Sequence, residues 1–345
     1  MGEGPVHKVC CPIRGRPAVL RAMDCYKECG LDPIVVVVGS KAENVMETVA
    51  KEYPEAMFAF QPRRLGTGNA VRYGYELLKK IDKSPKVPVL ITMGDKVISR
   101  AAVEQLIESY RQSKAALAFC TAPRSEWASG RVAKDEHGEL IGIFERQDIR
   151  RAMFVNRLLD LCRTDDPITT SEIKKLFQDL KLGSAATRLL PVDFINLVHE
   201  ENQLQPGTTQ QFFVDSDRLV PSGNRFFDPQ MIESSSPQLN VSLYLIGRKA
   251  LEYGLENLKP GNPQGEEYFT DLVNQLMFRY RERRVAAYRV LDVPLPDARL
   301  VVSFNNREQL LKIESLLENQ SGGLDDNPAV RQRKSPIGKF PSYTK

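Results

Sequence analysis

Short, largely apolar runs that end at glycine alternate with helical patterns in the first third of the chain. Ile34–Val38 is one such run and ends at Gly39, and Val87–Met93 is another and ends at Gly94. Runs that are apolar on both faces are typical of strands inside a parallel sheet. Because amphipathic helical patterns separate these runs, the sequence predicts a βαβ series with right-handed crossovers. The predicted fold class is therefore α/β, with a mostly parallel central sheet flanked by helices.

The middle of the chain interrupts this alternation. Residues 149–182 follow a helical pattern, whereas residues 183–237 are rich in Pro, Gly, Ser and Gln and predict irregular structure. We therefore expect one domain over residues 1–320, with a helical and irregular insertion at about 150–238. Residues 321–345 show no periodicity and predict a flexible tail.

Further strands are predicted around the insertion. Two apolar segments flank a turn at Glu136, His137 and Gly138 and predict a β-hairpin. The predicted hairpin strands and the strands that follow the insertion are Arg131–Lys134, Leu140–Glu145, Val241–Ile246 and Val285–Arg289.

Composition excludes several classes of protein. The 345 residues are 42% hydrophobic and 27% charged, and 48 basic against 44 acidic residues give a net charge of +4, which is too balanced to indicate a nucleic-acid partner. The sequence contains no apolar run near the ~20 residues that cross a bilayer. Met1–Lys8 lacks an apolar signal core, so we expect a cytoplasmic protein. Six cysteines and three histidines lack metal-site spacing, which indicates reduced thiols rather than zinc.

Glycines follow the strand predicted at Met57–Gln61. Gly66 and Gly68 flank Thr67 at a helix start, where exposed backbone N–H groups and a hydroxyl allow close approach of a nucleotide base or phosphate. The structural alternative is that Thr67 caps its own helix and the glycines form a tight turn.

An acidic residue follows the run Val87–Met93. Asp95 stands at the carboxyl end of this predicted central strand, where ligands of open parallel sheets bind. A carboxylate there suits Mg²⁺ held against phosphates. The alternative is a turn or helix-capping aspartate. Asn305 precedes the last predicted helix and offers either a helix cap or an oxygen ligand to a metal.

Several motifs occur in one order along the chain. The most specific is QPRRLGTGNAV, and it is followed by VLITMGD and QGEEYFTD. Together these segments resemble the sugar-nucleotide pyrophosphorylases, and in particular the uridylyltransferase domain of bacterial bifunctional N-acetylglucosamine-1-phosphate uridylyltransferase. The other matching segments are His7 to Pro17, Gly130-Arg131-Val132, Ile143-Phe144-Glu145, Asn240 and Asn305-Asn306-Arg307.

The resemblance implies a reaction, substrates and site residues. A sugar 1-phosphate, N-acetylglucosamine 1-phosphate, attacks the α-phosphorus of UTP with Mg²⁺ as cofactor and releases pyrophosphate, as in nucleotide-sugar synthesis for cell-wall precursors. A homo-oligomer is compatible with this assignment. The implied catalytic residues are Lys8 and Asp95, the nucleotide-binding residues are Gln61, Gly66 and Thr67, the sugar-binding residues are Gly130, Glu145 and Asn240, and the metal ligands are Asp95 and Asn305.

The chain also departs from this family. The family opens with a strand and a glycine-rich phosphate loop, and no segment of this sequence corresponds to them. Arg16 replaces a turn lysine, and Lys96 stands where an apolar residue is usual. We expect an empty slot at the position of the first strand, weak or no transferase activity of the chain as given, and a matching segment encoded upstream.

Two other functions stay open. One is a sugar-nucleotide-binding module without catalysis. The other is a related nucleotidyltransferase that uses CTP or GTP with a polyol phosphate or a cofactor precursor as acceptor. Glu145 is a surface strand residue in the structural alternative, and Thr270 and Asp271 are expected to start a helix rather than contact substrate.

Overall fold

The computed structural model describes residues 6–84, 86–124, 130–182, 186–304 and 306–320. Helices flank a central sheet in a mixed α/β architecture, so the predicted fold class is confirmed. The strands are β1 (Pro12–Ile13), β2 (Arg16–Pro17), β3 (Val35–Val38), β4 (Met57–Phe60), β5 (Val89–Thr92), β6 (Lys96–Ile98), β7 (Leu117–Pro123), β8 (Arg131–Lys134), β9 (Leu140–Phe144), β10 (Ile168–Thr169), β11 (Gln203–Leu204), β12 (Val220–Ser222), β13 (Arg225–Phe227), β14 (Gln238–Ile246), β15 (Val290–Pro294) and β16 (Val301–Ser303). The helices are α1 (Ala18–Glu28), α2 (Ala42–Ala50), α3 (Thr67–Ile81), α4 (Arg100–Gln112), α5 (Arg146–Leu161), α6 (Thr170–Asp179), α7 (Ala186–Leu189), α8 (Val192–Glu200), α9 (Pro206–Gln210), α10 (Pro229–Ser234), α11 (Arg248–Asn257), α12 (Phe269–Arg283) and α13 (Arg307–Gln320).

Strand β14 organises the central sheet. The strand order is β15-β7-β14-β8-β9, and β5 also pairs with β14. β14 is antiparallel to β5, β7 and β8, whereas β15 is parallel to β7. A shift in register between Asn240 and Tyr244 divides β14, so that Gln238 and Leu239 pair with β8 and Leu243–Ile246 pair with β5. Because β5 and β7 are both antiparallel to β14, they run in the same direction.

Strands β3 and β4 form a separate parallel sheet. Val35 lies opposite Met57 and Val38 opposite Phe60. Helices α1 and α2 cover one face through a buried cluster that includes Met23 and Val45. The ladders of the described residues do not join β3 to β5, so two sheets stand where the alternating pattern predicts one.

The predicted insertion contains a core of its own. Apolar residues from Phe154 to Phe213 form one buried cluster, built on α5, α6 and α8. The prediction of irregular structure over 183–237 is wrong in part, because α8, α9 and α10 lie in this range. Helix α8 has an apolar face on which Phe194 and Val198 are buried. The helix is short and lies between Pro- and Gln-rich segments, so its pattern is hard to recognise in the sequence.

The prediction of a strand at Val285–Arg289 is also wrong. Residues Ala286–Tyr288 form a 3₁₀ turn, and the strand β15 begins directly after the predicted range, at Val290. Arg284, which caps the end of helix α12, is in a left-handed conformation. The chain then passes through the 3₁₀ turn before β15 pairs with the edge of β7. In the described part of the chain, no helix is long and apolar enough to cross a membrane. All cysteines are free thiols.

Candidate active site

The glycine loop before α3 is in close contact with the segment that precedes α12. The Gly68 N–H donates to the carbonyl of Glu267 at 2.7 Å, and the Glu267 N–H donates to the carbonyl of Leu65 at 2.7 Å. Gly66 has φ +100°, and a Cβ there would lie 2.8 Å from the backbone nitrogen of Glu267. The two predicted motifs, residues 61–71 and 264–271, therefore form one unit because glycine lets their backbones approach.

Thr67 and Gln61 hold this unit together. The Thr67 hydroxyl oxygen accepts a hydrogen bond from the Phe269 N–H at 2.9 Å, and so it caps α12. The cap of α3 itself is Gly66, so the structural alternative for Thr67 as a cap of its own helix is wrong. The Gln61 amide donates to the Gly66 carbonyl at 3.2 Å and to Asn69 at 3.0 Å.

Lys8 and Asp95 form an ion pair at the carboxyl end of β5. The distance between Lys8 Nζ and Asp95 Oδ2 is 2.6 Å, and the side chains are 31% and 17% exposed. The neighbouring His7 N–H donates to Asn44 at 2.8 Å. Burial lowers the pKa of His7, and the charges of Lys8, Lys41 and Arg64 lower it further. The charge of Asp95 opposes this effect, so three cations and one carboxylate act on His7.

Lys96 is a buried cation next to this pair. It is 6% exposed, and its backbone pairs with Ser303 in the β6–β16 ladder. Burial lowers the pKa of Lys96, while the charges of Asp95 and Glu145 raise it. Lys96 is thus near enough to both Asp95 and Glu145 for their charges to act on it.

Glu145 and Gly130, two of the predicted sugar-binding residues, lie close to each other. The Thr270 hydroxyl donates to Glu145 Oε1 at 3.1 Å, and burial raises the pKa of Glu145. A Cβ on Gly130 would lie 3.8 Å from Glu145 Oε1. Thr270, which the sequence pattern predicts only as a helix start, is in α12 and also holds Glu145.

Asn240 contacts this group through its backbone. Its N–H donates to the Gly130 carbonyl at 2.9 Å. Its side-chain amide donates to the Tyr244 hydroxyl at 2.6 Å and accepts from the Ser242 N–H at 3.1 Å. The side chain is 2% exposed and stabilises the irregularity in β14. Its contact with sugar stays a prediction.

Two buried carboxyl groups lie beside Glu145: sequence reasoning missed Asp148 and treated Asp271 only as a helix start. Burial, together with the charges of Glu145 and Asp271, raises the pKa of Asp148 to about 8. Burial and the charge of Glu145 raise the pKa of Asp271 to about 7, and Ser222 donates to Asp271 at 3.3 Å. The available signal was the position of Asp148, in the first turn of a helix that starts directly after Glu145.

A cavity of about 880 Å³ brings part of the predicted site together. Thr67, Gly94, Gly130, Glu145 and Thr270 line it. The other predicted residues lie around it: Asp95 follows Gly94 and pairs with Lys8, Gln61 and Gly66 support Thr67, and Asn240 supports Gly130.

The predicted metal ligands are only partly described. Asn305 lies outside the described residues, as does the tail 321–345. Within the described ranges, no group of three or more His, Cys, Asp or Glu residues could hold a metal ion. Asp95 is therefore the one predicted metal ligand whose geometry is defined. A single carboxylate is compatible with Mg²⁺, which binds through one or two carboxylates together with substrate phosphates.

The chain is similar in sequence to curated proteins named bifunctional protein GlmU. The protein from Syntrophomonas wolfei subsp. wolfei is 32% identical over 143 residues, which are 41% of this chain and 30% of that protein. The protein from Anaeromyxobacter sp. (strain K) is 35% identical over 152 residues, 42% of this chain and 30% of that protein. The chain thus spans about 30% of the length of these relatives.

Two other comparisons complete these findings. No family model matches the chain. The crystal structure of HddC from Yersinia pseudotuberculosis complexed with GMP-PN aligns over 91% of each chain, with a TM-score of 0.47 and 13% identity. The resemblance to the uridylyltransferases, drawn from the motifs, is confirmed by the sequence similarity to the GlmU proteins.

Proposed function

We propose that the protein is a nucleotidyltransferase that joins UTP to N-acetylglucosamine 1-phosphate and releases pyrophosphate. The observation that carries the proposal is that Thr67 of the glycine loop lines the same cavity as Gly130, Glu145 and Thr270. Similarity to the GlmU proteins, which are N-acetylglucosamine-1-phosphate uridylyltransferases, supports the same reaction.

The reaction requires positioning and charge neutralisation more than covalent catalysis. A phosphate oxygen of the sugar 1-phosphate forms a bond to the α-phosphorus of UTP, and the bond from that phosphorus to the bridging oxygen of pyrophosphate breaks. In this proposal Lys8 pairs with the phosphates as a point charge. Its present partner is Asp95 at 2.6 Å, so the ammonium exchanges a carboxylate for phosphate when substrate binds.

Asp95 is the proposed Mg²⁺ ligand, and Asn305 is the proposed second oxygen donor. When bound, Mg²⁺ supplies charge neutralisation between the two phosphates. The position of Asp95 soon after β5, with its side chain only 17% exposed, supports this proposal.

The sugar side depends on Glu145. Its carboxylate accepts hydrogen bonds from sugar hydroxyls, and the Thr270 hydroxyl fixes its orientation. On the base side, Gln61, Gly66 and Thr67 read the uracil edge. The Thr67 hydroxyl oxygen accepts from Phe269, which leaves its proton available for donation to a base oxygen.

The proposal is tested by pyrophosphate release with four nucleoside triphosphates and several sugar 1-phosphates in the presence of Mg²⁺. We expect the highest kcat/KM with UTP and N-acetylglucosamine 1-phosphate. Preference for CTP or GTP would replace the proposed substrate. Binding of UDP-N-acetylglucosamine without pyrophosphate release from any pair would identify a binding module instead.

A further inference from the structure

Two arginines line the candidate cavity together with the predicted sugar-binding residues. Arg146 and Arg150 belong to the same lining as Gly130 and Glu145. Arg146 is the first residue of α5, and Arg150 follows one turn later. Side chains four positions apart in a helix lie on the same face, so the two arginines form one surface, which we call the arginine face. The reaction as proposed uses neither of them.

The β8–β9 hairpin brings the arginine face close to the sugar-binding residues. Arg131 lies opposite Phe144 in this ladder, so the residues just beyond them, Gly130 and Glu145, lie at the same end of the hairpin. Arg146 directly follows Glu145 in the chain. A sugar that contacts Glu145 in the cavity therefore lies in the same cavity as the arginine face.

The arginine face belongs to a cluster in which positive charge is in excess. Arg124 and Arg131 both form ion pairs with Glu233, and the distance between Arg131 Nε and Glu233 Oε1 is 3.0 Å. The charges of Arg131 and Arg124 act on Arg146, and those of Arg146 and Arg131 act on Arg150. Glu233 also acts on both, but its two carboxylate oxygens already pair with Arg131 and Arg124.

Within the described ranges, neither arginine of the face pairs with a carboxylate. Arg146 forms no hydrogen bond or ion pair with any residue that the structure describes, and Arg150 donates only to the Lys181 carbonyl, at 3.3 Å. Both side chains are half-buried. Burial lowers the pKa of Arg146, and burial together with the charges of Arg146 and Arg131 lowers the pKa of Arg150 to about 10.

This arrangement is unfavourable for the protein alone. Like charges four residues apart destabilise a helix, and a cation in the first turn opposes the helix dipole, which is positive at the amino end. Partial burial of an unpaired charge adds a desolvation cost. A bound oxyanion relieves all three effects, and the planar guanidinium group binds phosphate and carboxylate oxygens in a bidentate manner.

We propose that the arginine face is a second oxyanion site, which binds a phosphate or carboxylate that the acceptor sugar carries in addition to its 1-phosphate. The inference rests on the proposed function and extends its acceptor class to sugar 1-phosphates with a further oxyanion. Different residues hold the two groups: the 1-phosphate binds beside Lys8 and Asp95, and the second oxyanion binds Arg146 and Arg150. Among acceptors with a single oxyanion, N-acetylglucosamine 1-phosphate stays the preferred one.

Binding of three compounds with a common sugar ring tests the proposal without turnover. N-acetylglucosamine 1-phosphate has no second oxyanion, N-acetylglucosamine 1,6-bisphosphate has a second phosphate, and N-acetylglucosaminuronic acid 1-phosphate has a carboxylate. Titration calorimetry of the full chain with Mg²⁺ and without UTP gives the Kd of each. We expect a second oxyanion to lower the Kd by about tenfold or more, which is the effect of one charge-assisted hydrogen bond. The difference between the last two compounds identifies the group that the face prefers.

Three variants show whether the arginine face causes this gain. The double variant Arg146→Gln with Arg150→Gln removes both charges and should bind all three compounds with similar Kd. The double variant with lysine at both positions keeps the charges but not the planar group, so it should keep part of the gain. Arg157→Gln is the matched control, at an exposed position of the same helix, and should keep the whole gain.

The outcomes separate this inference from the proposed function. Equal Kd values for the three compounds in the unmodified chain, or a gain that survives in the double glutamine variant, would refute the second oxyanion site while pyrophosphate release from UTP stays intact. If the arginine face binds the second oxyanion but no acceptor releases pyrophosphate, the proposed function fails and the site stands. Absence of binding by all three compounds would refute both.

Discussion

Replacement of Gly66 by alanine tests the contact between the two motifs. Gly66 has φ +100° and ψ 172°, a region that is essentially restricted to glycine. A Cβ at this position would lie 2.8 Å from both the nitrogen and the carbonyl carbon of Glu267, and still nearer to its oxygen. These are backbone atoms that two hydrogen bonds of 2.7 Å hold against the loop, so they yield less readily than a side chain.

Two costs add in this variant. The backbone conformation costs about 1–3 kcal/mol for a residue with a Cβ. Overpacking against the backbone of Glu267 costs about 1–3 kcal/mol more. We therefore expect Gly66→Ala to lower the free energy of unfolding by about 2–6 kcal/mol. Gly265→Ala is the matched control, because Gly265 has φ +64° and a Cβ added there would have no atom within 4 Å. It carries only the conformational cost of about 1–2 kcal/mol.

Equilibrium unfolding in urea, followed by far-ultraviolet circular dichroism, measures both variants. The difference in free energy is read from the midpoint at constant slope. Gly66→Ala should lose more stability than Gly265→Ala by about the overpacking cost, 1–3 kcal/mol. Equal losses in the two variants would refute the close backbone approach on which the site depends.

Three further predictions concern the site. Asp95→Ala should lower kcat for Mg²⁺-dependent pyrophosphate release by 100-fold or more, because about 3 kcal/mol of transition-state stabilisation is lost. The control Asp166→Ala, at an exposed residue, should leave kcat unchanged. Near-normal kinetics of Asp95→Ala would remove Asp95 from the site. Thr67→Val should lower the free energy of unfolding by about 1–3 kcal/mol because the Phe269 N–H loses its acceptor, and Thr67→Ser should restore it; equal losses would contradict the cap. The pKa of Asp148 is raised to about 8, so its neutral form is favoured in the folded state and the free energy of unfolding should fall as pH rises from 4 through 8. Asp148→Asn should weaken this pH dependence in urea titrations at several pH values. An unchanged pH dependence in the variant would contradict the role of Asp148.

The fold could be predicted where strands and helices alternate with clear apolar patterns. The run Ile34–Val38 contains β3, and the helical stripe after Pro17 is α1. The strand predicted at Val285–Arg289 failed because local apolarity does not reveal which segment reaches the edge of β7. Register with a distant strand decides that, and β15 starts only at Val290.

The motifs of the candidate site could be identified in the sequence, but the contacts between them could not. The spacing of Gly66 and Thr67 indicates an approach by another group, and the structure identifies that group as the backbone of Glu267 and Phe269. A contact between residues about 200 positions apart leaves no periodic signal. Likewise, the raised pKa of Asp148 depends on burial beside Glu145, and burial of a carboxyl group is set by tertiary packing.

A continuous path of contacts connects the two sides of the proposed site. The Thr67 hydroxyl oxygen holds the Phe269 N–H, and the next residue, Thr270, donates to Glu145. Phe269 and Thr270 are the first two residues of α12, so the start of one helix fixes both the nucleotide side and the sugar side. Side chains in such a site must be held to a fraction of an ångström to be effective. The path from Thr67 to Glu145 runs through Phe269 and Thr270. A shift of the glycine loop therefore moves the start of α12 and, with it, the carboxylate of Glu145.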